Sequence, residues 1–416
     1  MFSVFANAWK DKDIRKKLIY ILIVLAVYRV GCHIYLPGVN PARLQPEDSA
    51  NLLALIAGGG VGTIFAMGIT PYINASIIMQ LLTVAIPYLE KLKEDEDGRK
   101  KLGQITRYAA VGLGLVQGIG TIYSLSGAFH SYGATRWLLY IIALLTLITG
   151  TIFIMWLGEL LTERGIGNGS SFIIFANILS NIPQGFEVFR GYATGGAAEV
   201  AKVILVLVVF VAIVAFAVLI QDGERRIPVQ YSRKMVGSQI FGGQSSYIPV
   251  KVNVAGVMSI IFAISLLQLP QTIYSFVQPV WLGRVVNFLD IGNPAGAVLY
   301  VILIFCFTFF YTSFAINPNQ MAESLKANSG FIPGIRSGKP TADYVKRTVD
   351  RLSWIGAVAY AIIALIPIII RWIFGINTSI GGTTMLIVVG VALELMKQLE
   401  SRLLMRHHEG FLGKKK

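Results

Sequence analysis

Charge is scarce in this chain. Of its 416 residues only 14% are Asp, Glu, Lys or Arg, where a soluble domain carries about a quarter. Beside 55% hydrophobic residues and a mean hydropathy of +0.65, that scarcity excludes a soluble globular protein and places the chain in a membrane. Cysteine is limited to Cys32 and Cys306, both inside apolar segments. They make no disulfide framework and read as small buried groups. The histidines are His33, His130, His407 and His408, and none has a metal-ligand partner at helical spacing. No Walker motif, serine nucleophile elbow or pair of intramembrane aspartates occurs. The chain is therefore not expected to be an enzyme, or to need a cofactor or metal. A coupled transporter would keep carboxylates at mid-membrane. Here Glu159, Glu163 and Glu394 fall near helix ends on one side and Asp290 on the other. Arg29, near the outer end of the first span, reads as a snorkelling residue or a structural ion pair.

What the chain does have is long charge-free runs: 18–28, 64–89, 108–135, 137–158, 165–186, 203–221, 252–283, 291–321, 352–370 and 372–393. A spanning helix needs about 20 apolar residues, so one helix per run gives ten spans, the last two flanking a turn at 377–379. The lysine-rich start followed by a long span reads as a retained first helix, not a signal peptide. The formal net charge is +14, and 29 of the 36 Lys and Arg fall in segments 1–17, 89–107, 159–169, 222–251, 317–351 and 397–416. The positive-inside rule puts those segments, and both termini, in the cytoplasm. Ten spans split five and five, with the first set ending near Ile182 and the second starting near Val203. An odd number per half inverts one half relative to the other. The internal likeness is thin: ASIIMQLL (75–82) against MSIIFAISLL (258–267).

The stretch IAGGGVGTIFAMGITPYI (56–73) is apolar, yet it holds Gly58, Gly59, Gly60, Gly62, Gly68 and Pro71. A continuous spanning helix is not built that way. Broken backbone at membrane depth is tolerated where protein buries it or where it lines a wet cavity. Residues 51–65 are thus expected to form a short, loose helical segment inside a funnel, with a proper span over 69–88. GGGVGT is not a phosphate loop, because no lysine follows and no strand precedes it. An apolar interior with a broken helix and no coupling site points to a passive pore. Segments 222–251 and 317–351 are long for connections. The first contains QIFGGQSSYIPV, which reads as a hairpin around Gly242-Gly243. The second contains the rigid, basic FIPGIRSGKPT. Structured basic loops on one face suit RNA or an acidic protein.

Six long motifs, in order, carry a resemblance: MGITPYINASIIMQLL (67–82), MWLGELLTERGIGNGSSFIIFANI (155–178), RRIPVQYSRK (225–234), GGQSSYIPVKVNVAGV (242–257), FIPGIRSGKPT (331–341) and IGGTTMLIVV (380–389). Over about 10–405 the chain resembles the bacterial SecY family, the channel-forming subunits of protein translocases. The resemblance implies an all-α polytopic membrane protein with ten transmembrane helices in two inverted five-helix halves. Those halves are 1–182 and 200–401, joined by an external connection 183–199 and followed by a basic tail 402–416. It implies an hourglass pore in the plasma membrane that passes unfolded secretory proteins and releases apolar segments sideways into lipid through a lateral gate. The apolar waist falls on Ile69, Ile73, Ile174, Ile261 and Ile387. A plug, about 51–65, includes Leu55, Ile56, Gly58, Gly59, Gly60, Val61 and Gly62. Polar residues at the gate, between span two and spans seven and eight, are Asn74, Gln117 and Asn253. Arg225, Arg226, Arg233, Lys234 and Arg336 are the implied contacts for a SecA motor ATPase or a ribosome. SecE and SecG are the implied companion subunits. The sequence departs from the family in a shorter, glycine-rich plug, in a tip GSQIF without a basic pair, and in Ser259 where a proline is common. The alternatives are an inverted-repeat secondary transporter, which a mid-span carboxylate pair would favour, and a scaffold or insertase without a through-pore.

Overall fold

In lipid a segment must satisfy its own backbone N–H and C=O groups, so so apolar a chain folds as helices. The computed structural model describes residues 9–44, 60–129, 136–193, 196–231, 234–236, 239–241, 245–252, 254, 256–277, 280–375 and 382–412. The helices are α1 (Lys12–Gly31), α2 (Thr70–Ala85), α3 (Pro87–Glu94), α4 (Glu96–Ser124), α5 (Arg136–Arg164), α6 (Gly169–Ala193), α7 (Ala197–Asp222), α8 (Met258–Val277), α9 (Val280–Leu289), α10 (Pro294–Ala315), α11 (Pro318–Ala327), α12 (Lys339–Phe374) and α13 (Gly382–Leu412). Five strands occur among the described residues: β1 (Glu224–Tyr231), β2 (Lys234–Val236), β3 (Gln239–Phe241), β4 (Ser245–Lys251) and β5 (Gly330–Phe331).

Each charge-free run carries one long helix. By length and apolarity alone, four stretches among the described residues could cross a membrane unaided: Arg136–Arg164, Glu199–Asp222, Pro294–Ala327 and Lys339–Phe374. The others are diluted at their ends; α1 opens KDIRKK and α4 opens EDGRKK. Span two is shorter than the expected 69–88. Pro87 ends α2 at Ile86, and the chain turns by 109° into α3. The expected connection 183–199 is largely helical: α6 runs through Pro183 to Ala193, and α7 begins at Ala197.

Small residues bring the helices together, as in membranes where dispersion and close backbone approach drive association. Ala110, Gly114, Gly118 and Gly120 form the buried edge of α4, and a Cβ at Gly118 would meet Leu144 at 2.9 Å. Gly356, Ala357, Ala361 and Ala364 do the same for α12. One apolar core joins α1, α2, α5–α8, α10, α12 and α13. A second, of Leu36, Met67, Ile122, Phe129 and Leu147, lies under the turns that follow α1 and α4. Many large apolar side chains stay exposed, including Val211, Leu219, Val298 and Ile373 at 61–70%; a surface of that kind needs lipid.

The loop 222–251 is a hairpin, with its apex away from Gly242-Gly243, which lies outside the described residues. β1 pairs antiparallel with β4 from Glu224↔Lys251 to Gln230↔Ser245. β2 and β3 extend it as a smaller ladder that turns between Val236 and Gln239. Strand order is β4-β1-β5. Pro249 on the edge strand lacks an N–H, which discourages further pairing. Ile227 and Val229 turn inward onto Leu325, Ile332, Val345 and Val349, so both long loops share a small core of their own.

Candidate functional site

A cavity of about 1170 Å³ opens where α2, α5, α6, α8, α10 and α13 meet. Its apolar lining includes Ile73, Ile174, Ile261 and Ile387, four of the five expected waist residues, each from a different helix. Ile69, only 1% exposed, belongs to the same core without lining the cavity.

Each isoleucine is held by a local device. Gly68 takes φ +53, a left-handed conformation that favours glycine. Pro71 then starts α2, where its missing N–H costs nothing. Ile69 thus stands at the helix cap and Ile73 one turn inside, its N–H donating to Ile69 O at 3.1 Å. Before α6 the chain turns through GIGNG. The Gly169 N–H donates to Thr162 Oγ1 at 2.9 Å, and Ser170 N–H donates to Asn168 Oδ1 at 3.0 Å. Gly169 is pressed against the Gly158 carbonyl, where a Cβ would come within 1.9 Å. Ile174 follows one turn later. On α13, a Cβ at Gly390 would meet Val257 at 2.7 Å, so α13 approaches α8 closely beside Ile387 and Ile261. Gln221 Nε2 donates to Leu386 O at 3.3 Å and ties α7 to that helix.

The rest of the lining is largely polar. Glu159, Glu163 and Glu394 share it with Lys251, Lys397 and Arg402. Arg107 Nε pairs with Glu159 Oε1 at 2.6 Å, and Lys397 Nζ with Asp222 Oδ1 at 2.9 Å. Tyr72 and Gln80 of α2 line the same wall.

Of the expected plug residues, Leu55, Ile56, Gly58 and Gly59 lie outside the described residues. Gly60, Val61 and Gly62 form turns instead of the expected helix, with Gly62 at φ +75. Residues 60–68 pack against helices. Phe65 is 4% exposed and lies between the rings of Tyr28 (5.7 Å, 9° interplanar) and Phe153 (5.9 Å, 14°). The sequence reading missed this stack; the signal for it was Gly31, whose Cβ would fall 2.0 Å from the Phe65 ring.

At the expected gate, α8 packs on α4 and touches α2. Asn74 is 7% exposed, and its Oδ1 finds no hydrogen-bond partner among the described residues; Thr70 Oγ1 and Ser259 Oγ are in the same position. Gln117 is half-buried on α4, and Asn253 lies outside the described residues. One bridge between the halves was not foreseen. Lys93 Nζ of α3 sits 3.3 Å over the ring of Phe314 at the end of α10.

Arg225 and Arg226 are exposed on β1. Arg226 pairs with Glu224 at 2.8 Å and lies 4.9 Å over Tyr247; the hydrogen bond to Glu224 holds its guanidinium above its ordinary pKa. Lys234 opens β2, and Arg233 lies outside the described residues. Arg336 is exposed in the turn before α12, whose shape is fixed by Thr341 Oγ1 donating to Arg336 O at 2.8 Å.

A helical membrane protein whose helices surround a cavity lined in part by branched apolar side chains has the build of a polytopic channel. The SecY family model matches residues 63–396. The translocase subunit SecY of Streptomyces coelicolor is 42% identical, covering 99% of this chain and all of its own. That of Bacillus subtilis is 40% identical with the same coverage. A solved protein-conducting channel shares the fold at TM-score 0.67 and 22% identity, over 92% of this chain and 91% of its own. Canine Sec61, solved in a ribosome–channel complex, does so at 0.63 and 21%, over 92% of this chain and 91% of its own. The chain belongs to the SecY family. It is the central subunit of a protein-conducting channel, and the secondary-transporter alternative has no support among these relatives.

Proposed function

We propose that an unfolded secretory chain crosses the membrane through the waist formed by Ile69, Ile73, Ile174, Ile261 and Ile387. The observation that carries this is the convergence of Ile73, Ile174, Ile261 and Ile387, from four helices, on one cavity. A ring of branched apolar side chains dewets a constriction and so resists ions. It also offers no hydrogen-bond partner to a sliding backbone. The ten long helices are ten spans in two inverted halves, 1–182 and 200–401, in the bacterial plasma membrane with both termini cytoplasmic. A plug of about 51–65 closes the resting pore. The gate opens between α2 and α4 on one side and α8 and α10 on the other, releasing signal sequences and apolar segments into lipid. Asn74, Gln117 and Asn253 stabilise its closed form. SecE and SecG complete the channel. Energy comes from the SecA motor or the ribosome, docking on Arg225, Arg226, Arg233, Lys234 and Arg336; the shared core beneath the two loops supports a rigid platform there.

Photo-crosslinkers at Ile73 and Ile174 test the path. A stalled secretory chain should be captured at both. Capture only at lipid-facing controls such as Val211 would show that the chain does not use this cavity.

A further inference from the structure

We propose that residues 60–68 are a fixed part of the first half, clamped by Phe65, and that they keep their place when the pore opens. The stopper expected at 51–65 then ends at Gly60. This rests on the channel reading above and sharpens where its moving parts begin.

Four sets of contacts make the clamp. The Phe65 ring stacks with Tyr28 of α1 and with Phe153 of α5, and Trp156 packs against Phe153 at 5.7 Å with a 42° tilt. Two glycines make room for it: Gly31 under the ring, and Gly150, whose Cβ would stand 2.2 Å from Ile64 O. Backbone bonds flank the ring on the sequence. Ile64 N–H donates to Ile34 O at 2.9 Å and Leu36 N–H to Gly62 O at 2.8 Å, bracketing the bridge Tyr35↔Thr63. Finally, Gly68 N–H donates to Phe65 O at 2.8 Å, and Met67, 6% exposed, faces Gly118 of α4. Moving 60–65 away would break both ring stacks, leave a void between α1 and α5, and strand two backbone pairs. A stopper displaced without 60–68 loses none of these contacts. The clamp also fixes the start of α2 to α1, α4 and α5, so Ile69 and Ile73 travel with the first half.

A covalent tether tests this. Tyr35 and Thr63 form a non-hydrogen-bonded antiparallel pair, with Cα atoms about 4.5 Å apart in ordinary geometry, within disulfide range. In a channel carrying Cys32→Ser and Cys306→Ser, reconstituted in vesicles with its companion subunits, Tyr35→Cys and Thr63→Cys are oxidised. Precursor translocation should stay within about twofold of the reduced form. A tenfold fall on oxidation, reversed by reductant, would overturn the proposal. A second readout is resting ion flux. Phe65→Ala should raise it severalfold, and the tether should bring it back; flux unchanged by Phe65→Ala would remove Phe65 from the clamp. Crosslinking at Ile73 and Ile174 in the unmodified channel keeps the two readings apart: absence of capture there overturns the channel reading, whereas capture there with a tenfold fall on oxidation overturns the clamp alone.

Discussion

Gly169→Ala puts the waist to a steric test. Gly169 begins α6, five residues before Ile174, with its Cα against the loop end of α5. An added Cβ would stand 1.9 Å from the Gly158 carbonyl oxygen and 2.6 Å from Leu161 Cβ. Neither neighbour is the tip of a flexible side chain, and close-packed interiors do not absorb such overlap. The start of α6 must therefore retreat by about 1 Å or more. Overpacking of this kind costs about 1–3 kcal/mol. Stretching the Gly169 N–H bond to Thr162 Oγ1, now 2.9 Å, adds about 1 kcal/mol. Ile174 moves with its helix, and a 1 Å retreat of one member is comparable to the radius of a water molecule (about 1.4 Å). The variant is expected to fold with reduced thermal stability and to leak ions at rest. Ion flux into vesicles and a melting curve measure the two effects. Gly103→Ala on α4 is the control, because a Cβ there meets nothing within 4 Å. If Gly169→Ala is as tight and as stable as Gly103→Ala, the link between this contact and the waist is wrong.

Arg336→Glu is expected to abolish motor-driven translocation while membrane insertion and pairing with SecE persist; normal ATP-dependent translocation by the variant would remove Arg336 from the docking surface. Lys93→Gln and Phe314→Leu each remove the cation–π contact between α3 and α10. At an exposed site that is about 0.5–1 kcal/mol, or a two- to fivefold shift toward an open gate. Each variant should export a precursor with a weakened signal sequence better by that factor, and the double variant should add nothing further; additive effects would show the contact is not a latch.

The spans and the isoleucines that line the cavity differ in how far the sequence reveals them. The spans are visible because lipid demands uninterrupted apolar runs, which need no tertiary knowledge. The isoleucines are individually anonymous. Ile174 in SSFIIF has two isoleucine neighbours of the same chemistry, Ile173 and Ile178, both buried as deeply, and only the resemblance singled it out. The broken entry to span two was read correctly from Gly68 and Pro71, but its far end was not. Pro87 lies inside a charge-free run, and apolarity masked the 109° turn that proline geometry imposes there. Residues 60–65 belong to the segment 51–65 that the sequence suggests as a short, loose helix. The structure turns them to pair with 34–36 and to place Phe65 between two aromatic rings, contacts from distant segments that no local pattern encodes. The hairpin 222–251 was recognised from alternation, but its glycines misplaced the apex, because β2 and β3 continue the ladder past the point where turn chemistry suggested it ended.

The two ends of the cavity solve different problems. At the proposed waist, selectivity against ions would come from having nothing polar to offer, and the cost would be that any polar side chain must cross a dry constriction. The polar part of the lining bears on a second difficulty. A vestibule lined by one sign of charge would hold chains of the opposite sign and repel the rest, since low-dielectric walls focus such fields. Here Glu159, Glu163 and Glu394 share the lining with Lys251, Lys397 and Arg402. Two of these groups, Glu159 and Lys397, are already occupied by Arg107 and Asp222. The three acidic and three basic groups of the lining therefore cancel in formal charge. A channel that must carry many sequences gains from weak binding everywhere along its wall, so the pairing that neutralises the vestibule and the apolarity of the waist serve the same requirement by opposite means.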